Sequence, residues 1–153
     1  KAGAEWAAVV ERSQELGMKF VLKGSMTVED AIAAGRAGCD GIVVSNQGGR
    51  ALDHTPGTIE VLPAIAAQVK GRMAVLMDGG IRDGLDVLKA LAFGADAVLI
   101  GRPFCLAAVG GGSEGVKLTA DHLYNQLVRS MVLTGCPSVR EAGRHLVSTA
   151  PLA

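Results

Sequence analysis

The sequence predicts an α/β fold: four consecutive βα units forming half of a (β/α)8 TIM barrel, preceded by one helix. Three observations lead there. Four short apolar runs, Phe20-Val21-Leu22, Ile42-Val43-Val44, Ala74-Val75-Leu76-Met77 and Val98-Leu99-Ile100, are continuous rather than alternating, as expected of parallel strands covered on both faces. Between them lie segments of helical period, and strict strand-helix alternation is the mark of right-handed crossover units. Finally, Asp78-Gly79-Gly80-Ile81-Arg82 and Gly101-Arg102-Pro103 are two successive strand-to-loop junctions that each combine glycine with arginine. Barrels of this kind hold phosphate after strands seven and eight.

The elements follow in order. A helix is expected from about Ala4 to Leu16, closed by Gly17, with Trp6 docking it on the layer beneath. The first strand leads to a helix over Val28 to Ala37, opened by Thr27 with Asp30 three residues on, a capping pattern. The second strand leads through the Pro56-Gly57 turn to a helix over Ile59 to Val69. After Gly84 the third unit supplies a helix over Leu85 to Phe93, and Gly38, Gly71 and Gly94 stand where these helices should stop. A long helix is expected from Glu114 to Leu133 and a short one over Ser138 to His145. Gly110-Gly111-Gly112 lacks the frame of a dinucleotide fingerprint and reads as a flexible loop before the long helix. The scattered methionines Met18, Met26, Met73, Met77 and Met131 read as core fillers. His122 and His145 fall in helical segments, solvated or partly packed.

A closed barrel needs eight units and about 250 residues, whereas this chain has 153 and no Gly/Ser linker. An isolated half leaves two unpaired sheet edges and an apolar inner face open to water. The chain is therefore expected to be a single half-barrel domain over 1–153, a fragment or a unit that pairs with a complementary half or with itself.

Composition narrows the function. Fifteen basic and fifteen acidic side chains cancel, so neither a nucleic acid nor a membrane surface is an expected partner, and any anion site must be local. Cys39, Cys105 and Cys136 are odd in number and far apart, which argues against a disulfide framework and a clustered zinc site. With no apolar run of membrane-spanning length, the default expectation is a cytoplasmic protein. The two Gly-Arg junctions supply the positive chemistry. Glycine lets main-chain N–H groups approach anionic oxygens, a following helix N-terminus adds a favourable dipole, and guanidinium adds forked donors. A phosphorylated cofactor is the leading expectation.

Ser45-Asn46-Gln47-Gly48-Gly49-Arg50-Ala51-Leu52-Asp53 after the second strand resembles the signature of the FMN-dependent α-hydroxy-acid oxidase and dehydrogenase family, which runs Ser-Asn-His-Gly-Gly-Arg. Leu22-Lys23-Gly24, the run from Asp78 to Arg82, Gly101-Arg102-Pro103 and Leu133-Thr134-Gly135-Cys136 are similar too, in the same order. The resemblance covers nearly the whole chain and matches the family's C-terminal half, strands five to eight. It implies FMN as cofactor and oxidation of a small 2-hydroxy acid to the 2-oxo acid by hydride transfer to the flavin.

It also implies roles. Lys23 would meet the flavin edge where negative charge develops on reduction. Arg82 and Arg102, with the N–H groups around Gly79, Gly80 and Gly101, would bind the FMN phosphate. Asp78 would hydrogen-bond the ribityl chain or cap the following turn, and Ser45 and Asn46 would serve the loop backbone or flavin edge atoms. Arg50 would hold the substrate carboxylate. Gln47 departs from the pattern: the family places its histidine base there, and an amide accepts no proton near neutral pH. His54 is the nearby imidazole. Three functions remain open: the 2-hydroxy-acid oxidase itself, a flavin-binding protein with little turnover, and a structural half-barrel that needs a partner half. A flavin-dependent isomerase of another family shares the Asp-Gly-Gly and Gly-Arg-Pro elements without the Ser-Asn-x-Gly-Gly-Arg loop.

Overall fold

The computed structural model describes the backbone of residues 2–148 and side chains from Trp6 onward. Helix α1 (Ala2–Glu15) precedes β1 (Val21–Ser25), α2 (Val28–Arg36), β2 (Gly41–Val44), α3 (Thr58–Val69), β3 (Ala74–Met77), α4 (Gly84–Ala92), β4 (Ala97–Val98) and α5 (Arg102–Thr134). All neighbouring strands are parallel, and their spatial order is their chain order, β1-β2-β3-β4. Right-handed crossovers between sequential neighbours place their helices on one face of the sheet. The layout is an arc of a barrel wall rather than a doubly wound sheet, whose strand order reverses midway.

The core lies between that face and the helices. Ile42, Val44 and Val75 are fully buried and Met77 nearly so, packed with Ala31 and Ala34 of α2, Leu62, Ile65 and Val69 of α3, and Ala90 of α4. Trp6 packs at the edge of the same cluster. The expectation of strands covered on both faces holds for β2, whose four residues are all buried. Elsewhere it fails: the opposite face exposes Val21, Ala74 and Ala97.

Caps explain the helix starts. The Asp30 N–H donates to Thr27 Oγ1 at 3.1 Å, and the Asp86 N–H donates to Asp83 Oδ1 at 2.8 Å; the second cap falls on Asp83, not on Asp78. At the amino-terminal edge of the sheet two aspartates act as locks. Asp40 Oδ2 accepts the Phe20 N–H at 2.9 Å while Oδ1 pairs with Lys19 Nζ at 2.7 Å. Asp96 repeats this two βα units later, accepting the Val75 N–H at 2.8 Å with Lys70 Nζ at 3.5 Å.

Several expectations are corrected. The helix expected from about Glu114 is present, but a further helix opens at Arg102 ahead of it, and the glycine triplet is a sharp break between the two rather than a long flexible loop: only Gly112 leaves helical geometry (φ 56°, ψ −142°). The chain folds back there, because a Cβ on Gly115 would stand 2.3 Å from the Ala107 carbonyl oxygen. The terminal helix over Ser138 to His145 is replaced by two 3-10 turns, Val139–Glu141 and Arg144–Leu146. Met73 and Met77 are buried as core fillers, but Met18 is exposed after the turn that ends α1. His122 and His145 are exposed. Among the described residues no helix is long and apolar enough to cross a membrane, and no side-chain cluster suits a metal ion.

Two tests address this frame. Helix α4 meets α5 at Gly84, where a Cβ would stand 2.1 Å from Leu127 N and 2.6 Å from the Leu123 carbonyl oxygen, while the Gly84 N–H donates to Gln126 Oε1. Gly84→Ala is expected to lower stability by about 3 kcal/mol through overpacking, read as a lower urea midpoint. Lys19 and the Phe20 N–H hold the Asp40 carboxyl below its ordinary range. A depressed folded pKa stabilises fully above the unfolded value of about 3.9 and ceases to do so as pH falls through the folded value. Asp40→Asn should therefore flatten the acid limb of a pH-dependent melting curve and leave its shape near neutrality unchanged.

Candidate functional site

Side chains alternate along a strand. Since Ile42, Val44, Val75 and Met77 face the helices, the opposite face receives Lys23 near the end of β1, Ser45 just past β2 and Asp78 just past β3, aligned by the parallel register Lys23↔Val43↔Leu76. At Gly24 (φ 112°) the register slips, so that Ser25 rather than Gly24 pairs with Val44. Such a bulge bends the strand beyond Lys23. The alignment lets three polar groups meet. Lys23 Nζ donates to Ser45 Oγ at 2.8 Å and pairs with Asp78 Oδ2 at 2.7 Å.

A cavity of about 760 Å³ opens above them, at the carboxyl ends of the strands, where barrel sites collect. Lys23, Gln47, Arg50, Asp78, Arg82 and Arg102 all line it, as do Gly79, Gly80 and Gly101. Of the candidate site residues singled out in the sequence, all but Ser45, Asn46 and His54 thus reach one space. Ser45 is 1% exposed, and its hydroxyl accepts from Lys23 and from the Gln47 N–H at 3.1 Å. It touches the cavity only through those neighbours. Asn46 Oδ1 accepts the Gly48 N–H at 3.1 Å and so serves the loop backbone. His54 is exposed and does not line the cavity.

The loops are mutually braced. Gln47 (φ 55°), Gly48 and Gly49 turn in left-handed geometry, which brings Gly48 under Arg102: a Cβ there would lie 3.4 Å from Arg102 Nη2. The Gln47 amide nitrogen lies 3.6 Å from the Cβ position of Gly24, beside the end of β1. Arg50, Arg82 and Arg102 form no ion pair with any described residue. Lys23 is matched by Asp78, so the cavity carries three uncompensated guanidinium groups. Asp78 Oδ1 is buried without a hydrogen-bond partner, a costly state that a donor from a ligand would relieve.

Three contributors escaped sequence reading. Thr58, the first residue of α3, is 3% exposed and donates from Oγ1 to the Asp78 carbonyl at 2.7 Å, with the Gly79 carbonyl at 3.3 Å. The Thr58-Ile59-Glu60 start of the helix was legible, but not what its hydroxyl would reach twenty residues on. Cys105 and Leu106 line the cavity from the first turns of α5, a helical stretch that the glycine triplet disguised.

The family model for FMN-dependent dehydrogenase matches residues 1–149. The chain belongs to that family. It is similar to a peroxisomal (S)-2-hydroxyacid oxidase of Arabidopsis thaliana, 49% identical over 86% of this chain and 36% of the relative, and to an L-lactate oxidase of Lacticaseibacillus rhamnosus, 50% identical over 87% of this chain and 36% of the relative. A crystal structure of mandelate oxidase superposes with a TM-score of 0.87 at 46% identity, over 93% of this chain and 42% of that one. The chain therefore spans little more than a third of the length of these relatives.

FMN is the cofactor of the FMN-dependent dehydrogenases, and the residues present suit it. Unpaired guanidinium groups and glycine N–H donors match a phosphate ester, the unpartnered Asp78 oxygen matches a hydroxyl donor, and the Lys23 ammonium retains a donor for an acceptor atom. Gly79 (φ 87°) has Asn46 Oδ1 and Thr58 Oγ1 at 3.1 and 3.2 Å from its Cβ position. Gly79→Ala is expected to cost about 1 kcal/mol or more from backbone strain and to weaken FMN binding at least tenfold, measured by quenching of flavin fluorescence.

Proposed function

We propose that this chain is the C-terminal half, strands five to eight, of an FMN-dependent 2-hydroxy-acid oxidase or dehydrogenase barrel, and that it supplies the cofactor-phosphate site and part of the substrate site. The observation that carries this reading is the convergence of Lys23, Arg50, Arg82 and Arg102 on one cavity. Arg82 and Arg102, with Gly79, Gly80 and Gly101, would hold the phosphate; Asp78 would accept from the ribityl chain; Ser45 would act through Lys23, whose fixed cation favours negative charge on the adjacent ring edge. Arg50 would take the substrate carboxylate in a two-point contact that sets the position of the α-carbon. FMN, when bound, supplies the hydride acceptor.

The complementary four strands, or a second copy, would cover the open sheet face; exposed Val21, Ala74 and Ala97 on an otherwise apolar surface support that partner.

Gln47 favours a second reading. It lines the cavity at the position the family gives to its base, and its amide can orient a substrate hydroxyl but not take its proton. A positioned base is worth about 10² to 10⁴ in rate. The second reading is thus a flavin-binding barrel with slow 2-hydroxy-acid oxidation.

Two measurements separate these possibilities. The chain should bind FMN at least tenfold more tightly than riboflavin, which lacks the phosphate; equal affinities would remove the phosphate site and the proposal with it. In the barrel completed by its remaining strands, Gln47→His should raise lactate or glycolate turnover about tenfold or more. An unchanged rate in a protein that still holds FMN would reject this substrate class.

A further inference from the structure

We infer that Thr58 is a positioning residue for the anion site: its buried hydroxyl turns the N–H groups of Gly79 and Gly80 toward the cavity. This rests on the phosphate reading above.

The geometry runs through the peptide planes. In a trans peptide the carbonyl of one residue and the N–H of the next point in opposite directions. Thr58 Oγ1 lies 2.7 Å from the Asp78 carbonyl oxygen and 3.3 Å from that of Gly79, so both carbonyls face the start of α3. The N–H groups of Gly79 and Gly80 accordingly face away from α3. Both glycines line the cavity on that side, and among the described residues neither N–H is taken by another group. Their φ angles of 87° and 80° are ones glycine adopts without strain, so the turn can present two successive unpartnered N–H donors.

Thr58 is suited to hold this arrangement. It is 3% exposed, so water does not compete for its hydroxyl, and it opens a helix on the same buried face as Leu62 and Ile65, which anchor that helix in the core. Asn46 Oδ1 and Thr58 Oγ1 both crowd the Gly79 Cβ position, at 3.1 and 3.2 Å, so the turn is closely confined on that side. Donors fixed before the anion arrives need no reorganisation on binding. The same grip sets the backbone from which the Asp78 carboxylate reaches Lys23.

The test is a titration of the ¹⁵N-labelled full chain with inorganic phosphate, following the Gly79 and Gly80 amide resonances. In the native chain both should move with saturation. Thr58→Val, nearly equal in shape, should bind phosphate about tenfold more weakly, and Thr58→Ser, which restores the hydroxyl, should return to near-native affinity. Thr58→Ala carries the same expectation as Val if the valine variant does not fold. Native affinity in Val or Ala, or a serine variant as weak as valine, would overturn the inference while leaving the phosphate site standing. Gly79 and Gly80 resonances that do not respond in the native chain would overturn the phosphate reading and this inference together.

Discussion

Parallel pairing in chain order is the constraint on which the cavity depends. Because β1, β2, β3 and β4 run the same way and sit side by side, every loop that follows a strand emerges at the same edge. Lys23, the turn from Ser45 to Arg50, the Asp78-Gly79-Gly80 turn and Arg102 are distant in sequence but become neighbours through that single rule. No long-range salt bridge is needed to gather them. The ion pair of Lys23 with Asp78 follows from the register rather than producing it.

Within the site the charges divide by purpose. Asp78 neutralises Lys23 and fixes its direction, whereas Arg50, Arg82 and Arg102 are left unmatched. A guanidinium that has no protein partner costs little while it remains partly in water and gains most when a dianionic group arrives. The unmatched Asp78 oxygen is a different case, since it is already withdrawn from water. The site thus combines exposed cations waiting for an anion with one buried acceptor waiting for a donor, which is the polarity of a phosphorylated polyol.

The strands, the first four helices and the convergence of the glycine and arginine motifs were legible in the sequence because each rests on local chemistry. Apolar continuity marks Ile42 to Val44, a hydroxyl at Thr27 marks a helix start, and paired glycines mark turns. What escaped depended on neighbours that the sequence does not place. The helical turns from Arg102 that precede the break at Gly112 were missed because the glycine triplet suggested a loop, whereas the chain folds back there and brings Gly115 against Ala107, a close approach only glycine allows. Ser45, read as serving the loop backbone or flavin edge atoms, does accept the Gln47 N–H, but its bond with Lys23 was not legible. Thr58 carried no motif at all, since its partners are carbonyls, which every residue has. Met18, read as a core filler, is exposed because the turn after α1 carries it outward.

The aspartate locks at the amino-terminal edge have a kinetic consequence. Asp40 closes β1 to β2 and Asp96 closes β3 to β4, and each joins only strands that are adjacent in the chain. These two β-α-β segments can therefore each close across a single helical connection, and contacts between chain neighbours form with a smaller entropic penalty and faster than distant ones. Assembly of the wall need not wait for the ends of the chain to find each other.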